Sequence, residues 1–203
     1  MTETAIFAAG CFWGVEHSFR QLNGVSEVIS GYTNGHKDNP TYEEVCRKDT
    51  GHAEAVKVTF DPKTISYEEL LNHFWSIHNP TTLNRQGPDV GSQYRSGIYY
   101  TSEDQYRTAL ASLKAKDQSG AFKKPIVTEV KEASTFWPAE DYHQRYIEKN
   151  GEQYLIRAPG QVADIPAIEK IIVARRAGLP ITVADVAEVG FGKELRTGAA
   201  TRD

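Results

Sequence analysis

Five residues near the N-terminus, Gly10-Cys11-Phe12-Trp13-Gly14, hold the side chain best suited to nucleophilic chemistry. A sulfur at a strand-to-helix turn lies beside the first free N–H groups and the positive end of the helix dipole, and both stabilise a thiolate. The flanking glycines admit a second molecule close to the backbone, and Phe12 with Trp13 supply aromatic walls. A lone cysteine is ordinarily a small core hydrophobe, and so are two adjacent aromatics; the combination points to a reactive thiol. Glu54, in Thr50-Gly51-His52-Ala53-Glu54-Ala55-Val56, opens a strand that is half apolar. Turned toward a covered face, its carboxyl would keep its proton to higher pH and serve as a general acid; on a solvated edge it would do nothing chemical. Tyr42 and Tyr94 stand near the ends of two long loops, where a phenol either packs its ring or donates a hydrogen bond to a substrate oxygen. The chain has 2 cysteines, so Cys46 is the one internal candidate to resolve an oxidised Cys11.

Other chemistries lack their residues. There is no P-loop, no Gly-x-Gly-x-x-Gly after a strand and no His-Glu-x-x-His. His73 and His78 are five apart and fall on different helix faces, so no metal is expected, nor any other cofactor. The net charge of −4 gives no basic field for nucleic acid or anionic lipid. No run reaches membrane-spanning length, the N-terminus lacks a secretory pattern, and two cysteines cannot staple a secreted domain. A reducing cytoplasm is the expected setting. At 203 residues, 39% hydrophobic and 25% charged, the chain fits one packed domain with a tail.

The elements that must position these groups follow from periodicity. Residues 4–9 are an apolar run feeding Gly10-Cys11, and Val15, Phe19 and Leu22 recur near helical spacing, which predicts strand, tight turn and helix. Residues 25–32 and 53–60 alternate as strands. Ser66 with Glu69 caps a helix over 67–78, residues 96–100 form a strand, Ser102 with Gln105 opens a helix to about 118, and 126–131 supply a further strand. The β-α-β-β-α-β order predicts an α+β fold: a two-layer α/β sandwich with a split-βαβ, ferredoxin-like core and a mostly antiparallel or mixed sheet. Residues 33–52 and 79–95 are long, aromatic loops expected to be functional. A capped helix is expected over 164–178 and a loose tail over 193–203. Residues 1–158 are thus expected to be catalytic, and 159–203 a C-terminal helix and tail.

GCFWG at 10–14, GYTNGHKDNPTYEEVC at 31–46, TGHAEAV at 50–56, TTLNRQGPDVGSQYRSGIYY at 81–100 and AEDYHQRY at 139–146 together resemble the A-type peptide methionine sulfoxide reductases, those reducing the S epimer. The blocks stand in family order over roughly residues 4–157. The resemblance implies a two-layer α/β sandwich with Cys11 as nucleophile and Glu54 as acid. It implies Phe12 and Trp13 as the pocket for the substrate methyl, with Tyr42, Tyr94 and Asp89 aimed at the sulfoxide oxygen and its neighbours. The expected substrate is methionine sulfoxide, free or in proteins, reduced by a monomer that repairs oxidative damage. A sulfenic acid on Cys11 would then be removed by an external thiol, glutathione with glutaredoxin or thioredoxin.

Departures from the family pattern are Asn34-Gly35 for a glycine pair, Arg47-Lys48 after Cys46 for Ser-Gly, and Asn79 for an Asp before Pro80. A larger one is C-terminal: relatives commonly carry recycling cysteines in a Gly-rich tail, and residues 155–203 have none. Cys46 is expected to pack on the helix that Thr41 and Glu44 cap, out of disulfide reach of Cys11; a mobile 33–52 loop would instead let it swing to Cys11 and form a disulfide for thioredoxin to reduce.

The chemistry sets a condition on the site. A thiolate must attack sulfur while the leaving oxygen is protonated, so Cys11 thiolate and neutral Glu54 have to coexist, against free values of about 8.5 and about 4.3. The helix N-terminus is expected to lower the first and the aromatic wall to raise the second. A peroxidase or disulfide reductase would need the thiol but neither methyl pocket nor neutral acid. A module that only binds methionine-containing peptides would use the same aromatic groove without turnover.

Overall fold

The structure is a computed structural model and describes residues 2–150 together with the backbone of 172–176 and 179–182. Its first strand, β1 (Glu3–Ala9), is buried without a break from Ala5 onward because both its faces are covered. Ala5, Phe7 and Ala9 enter the larger core, while Ile6 and Ala8 turn the other way against Ala53, Ala55 and Tyr99. The chain continues through α1 (Phe12–Arg20), β2 (Val25–Thr33), α2 (Tyr42–Cys46) and β3 (Ala53–Phe60). Next come α3 (Tyr67–Ile77), a hairpin of β4 (Arg85–Gln86) and β5 (Asp89–Val90), a 3-10 turn at Ser92–Tyr94, and β6 (Ser96–Tyr100). The last elements of this unit are α4 (Glu103–Gln118), β7 (Glu129–Glu132), β8 (Trp137–Pro138) and α5 (Tyr146–Asn150).

The sheet order is β7-β6-β1-β3-β2-β8, antiparallel throughout except for the β6–β7 pair. Its four central strands carry the split-βαβ order, so the two-layer fold expected from periodicity is the one that forms. Phe7 of β1 joins the layers, its ring 5.0 Å from that of Phe19 on α1 and 5.4 Å from that of Phe74 on α3. The second face, which periodicity left unassigned, is covered by Ala133 and Phe136. The strand expected over 126–131 starts later, at Glu129. Ile126 and Val127 give their N–H groups to Asp117 and to the Pro80 carbonyl instead of to the ladder.

A strap from Trp137 to Asn150 then crosses the outer edge of the sheet and α1. β8 pairs with β2, Gln144 bonds both the N–H and the carbonyl of Ser30 at 2.9 and 2.8 Å, and the buried Glu16 carboxylate on α1 accepts the Arg145 N–H at 2.9 Å.

A second compact unit spans Gln153–Arg196. Of the residues 164–178 expected as a helix, 172–176 form strand β9 (Ile172–Arg176), antiparallel to β10 (Leu179–Thr182). The β-branched run Ile171-Ile172-Val173 and the Gly178-Leu179-Pro180 break favour extended chain over the helix-forming residues before them. The remainder of that expected helix and the tail 193–203 lie outside the described residues. Among the described residues no helix is long and apolar enough to cross a membrane.

Candidate active site

The strand-to-helix turn needs a glycine at position 10 for two independent reasons. Gly10 has φ +96°, and a Cβ there would come within 2.7 Å of the Gln86 side chain on β4. Cys11 consequently takes the N-cap position of α1, half-buried.

Glu54 stands on β3 opposite Tyr32 of β2 and is 1% exposed. Its Oε2 accepts the N–H of Phe12 at 3.1 Å, which ties the acid to the turn carrying Cys11. Loss of water pushes its carboxyl up to about 8, against the pull of that N–H and with the help of the Asp89 charge. At neutral pH Glu54 is therefore protonated.

The thiol differs from expectation. Burial first, then the charges of Glu54 and Asp89, push the Cys11 thiol up, beyond the downward pull of the Trp13 and Gly14 N–H groups. The helix terminus is present, but no N–H of the first turn closes a capping hydrogen bond on the sulfur, and desolvation outweighs the dipole. The resting pair is a neutral thiol beside a neutral acid, which spares the site a buried charge. The Asp89 carboxyl, brought in by the β4–β5 hairpin, is itself raised by burial.

Aromatic rings close one side. Phe12 is 1% exposed, 5.8 Å from the ring of Tyr32, and belongs to the main core. Trp13 is half-buried, stacked on Tyr146 at 3.8 Å, and its indole N–H donates to His143 Nδ1 at 3.0 Å. Tyr42 opens α2 behind a complete Thr41–Glu44 capping box, and its raised pKa responds to burial, to Cys46 and to Glu54. Its hydroxyl is hydrogen-bonded to the Cys46 thiol one turn on, so Cys46 is half-buried against a site phenol and not sealed in the core as expected. Tyr94, buried in the 3-10 turn, lies within electrostatic reach of Tyr42. The structure thus brings all eight residues singled out from the sequence into one neighbourhood. Among the described residues no group of His, Cys, Asp and Glu is placed to hold a metal ion.

Sequence reasoning assigned no part to three of the residues that support this arrangement. The Arg95 guanidinium donates to the carbonyls of Asn34 and Gly51 at 3.2 and 3.1 Å and to Ser92 at 2.9 Å, so one cation fastens the two long loops together. Glu140 accepts the Tyr42 N–H at 2.8 Å and the Tyr32 hydroxyl at 3.0 Å, and His143 receives Trp13. No periodicity links positions 140–143 to 13 or 42; the AEDYHQRY block carries a family resemblance and no sign of these partners. A nucleophile, a proton donor at its own turn and two phenols beside an aromatic wall can attack a polarised centre and protonate the group that leaves.

The sequence profile of the family described as peptide methionine sulfoxide reductase matches residues 3–167. The chain is 60% identical over 149 residues to the peptide methionine sulfoxide reductase MsrA of Methanosarcina acetivorans, across 73% of this chain and 79% of that protein. The solved structure of Mxr1 from Saccharomyces cerevisiae in reduced form is similar with a TM-score of 0.71 and 37% identity, over 75% of this chain and 88% of that one. Mxr1 in complex with Trx2 is similar with a TM-score of 0.52 and 25% identity, over 71% of this chain and 84% of that one. With the motif blocks, the sheet order and these likenesses in agreement, the chain belongs to the peptide methionine sulfoxide reductase family.

Proposed function

We propose that residues 1–158 reduce methionine-S-sulfoxide, free or in proteins, to methionine, in the repair of oxidative damage. The observation that carries this reading is a buried, protonated Glu54 bonded to the turn that presents Cys11. The sulfoxide methyl lies against Phe12 and Trp13, while Tyr42 and Tyr94 donate to the oxygen and Asp89 borders it. Cys11 gives up its proton as its sulfur attacks the substrate sulfur, and Glu54 protonates the oxygen as charge builds there. In the balance, thiol plus sulfoxide become sulfenic acid plus thioether, one oxygen having passed from the substrate to Cys11.

Recycling falls to an external thiol, with glutathione and glutaredoxin or a thioredoxin-type partner as the donors. The likeness to Mxr1 in complex with Trx2 supports a protein donor. Cys46, engaged by the Tyr42 hydroxyl, is left out of the cycle. The chain works as a monomer in the cytoplasm, where both thiols stay reduced.

Single-turnover mass spectrometry without reductant, run beside chromatography of both epimers, tests this. The expected result is consumption of the S epimer alone and a gain of one oxygen on Cys11. Equal consumption of both epimers, or turnover with no loss of thiol, refutes the pocket or the nucleophile respectively.

A further inference from the structure

The AEDYHQRY block enters the function by resemblance alone, yet it places His143 among the aromatic walls. His143 is 1% exposed, and its ring centre lies 5.1 Å from that of Phe12, 5.6 Å from Trp13, 4.4 Å from Tyr42 and 4.1 Å from Tyr142. Its Nδ1 accepts the indole N–H of Trp13 at 3.0 Å. An indole nitrogen only donates, so Nδ1 offers a lone pair and the ring proton sits on Nε2. That Nε2–H is buried with no hydrogen-bond partner; Glu140 Oε2 stands 3.9 Å away and already accepts the Tyr32 hydroxyl.

Packing alone would be better served by Leu or Phe, neither of which buries an idle donor. What histidine supplies here, and they cannot, is the Nδ1 acceptor. The same turn, closed by the His143 N–H on the Glu140 carbonyl at 2.9 Å, also grips α2, since Glu140 accepts the Tyr42 N–H at 2.8 Å. One short piece of chain therefore holds the Trp13 wall and the Tyr42 phenol at a set separation.

We propose that His143 is a positioning residue of the sulfoxide pocket: by accepting the Trp13 indole N–H it fixes the plane of that ring, and with it the width of the methyl slot. The inference rests on the reading of Trp13 as a pocket wall. His143 itself touches no substrate atom and moves no proton.

The test measures kcat and KM for the S epimer of N-acetylmethionine sulfoxide, with dithiothreitol as reductant. The variants are His143→Leu, His143→Asn and Trp13→Phe, and each His143 change is also made on Trp13→Phe. His143→Leu should raise KM about tenfold, the scale of one lost hydrogen bond at a wall, with kcat nearly kept. His143→Asn, whose amide oxygen reaches the place of Nδ1, should recover most of that loss. On Trp13→Phe, the Leu change should add no more than about twofold, because there is no indole left to hold. The Trp13 indole proton resonance, assigned by its disappearance in Trp13→Phe, should move upfield in His143→Leu and stay in His143→Asn, a response that mere space-filling would not give. His143→Phe runs the same comparison should the Leu chain not fold.

An unmoved indole resonance, or KM effects that multiply in the double variant, overturns the proposal and leaves the pocket standing. An unchanged KM in Trp13→Phe alone removes the pocket reading, and the role of His143 with it.

Discussion

Replacing Glu54 by Gln should uncouple catalysis from stability, with a sign set by pH. Burial holds the folded carboxyl protonated up to about 8, while in the unfolded chain it titrates near 4.5. Between those values the unfolded chain releases a proton that the folded one keeps. The wild type therefore loses stability as pH rises through that window, at about 1.4 kcal/mol per unit, and the loss is complete above the folded value. Gln does not titrate and escapes this loss, while its amide oxygen can still accept the Phe12 N–H. Integrated from pH 5 to pH 7, the variant should gain about 2.5 kcal/mol on the wild type. Constant differences between the two side chains cancel in that comparison. Urea unfolding followed by tryptophan fluorescence reads it directly: with a slope of about 2 kcal/mol per molar, the midpoint gap should widen by about 1 M between the two pH values. Sulfoxide turnover of the same variant should drop by about 10²–10⁴-fold, and wild-type turnover should fall above about pH 8 as the acid ionises. A midpoint gap that does not change with pH would refute the burial argument, and full turnover in the Gln variant would remove Glu54 as proton donor.

Cys11→Ser should abolish turnover while circular dichroism stays native, since a hydroxyl is a far weaker nucleophile than a thiol and gives up its proton less readily as it attacks; turnover near the wild-type level would reassign the nucleophile. Gly10→Ala forces a side chain into a left-handed turn and against Gln86. It should cost about 1–3 kcal/mol in thermal or urea unfolding and depress turnover by displacing Cys11, and an unaffected variant would mean the turn relaxes freely. Cys46→Ser should keep turnover with dithiothreitol and with glutathione plus glutaredoxin. A Cys11–Cys46 disulfide in peptide maps after one turnover would contradict that expectation.

The layers of the fold could be read from the chain because each element carries its own period. The alternation in Ala53–Phe60 and the Ser66–Glu69 cap are local signals, and local signals survive into the structure. β9 shows the limit, for a helix-forming stretch and a β-branched stretch met within one window and the period could not arbitrate between them. At the site, residue types singled out Cys11 and Glu54, which the fold brings to one turn, but not the balance of forces on the sulfur. The dipole of α1 is visible in sequence, whereas the desolvation that overrides it, and the approach of Glu54 and Asp89, depend on how distant segments pack around the turn. His143 and Arg95 escaped for the same reason: their partners lie 130 and 44 to 61 positions away, and no pattern along the chain encodes such a pairing.

The strap from Trp137 to Asn150 gives the protein an order of assembly. Ribosomes deliver Cys11, Glu54 and both phenols long before Gln144 reaches Ser30, Arg145 reaches Glu16, or His143 reaches the indole of Trp13. A nascent chain thus carries its reactive thiol and its acid without a set pocket until the last turn of this unit emerges. A product ending short of residue 137 would keep every group proposed to do chemistry, yet leave the β2 edge unpaired and open to other strands. Competence to discriminate one sulfoxide from its mirror image is, with the proposed pocket, the last property this unit acquires during synthesis, before the second unit is made.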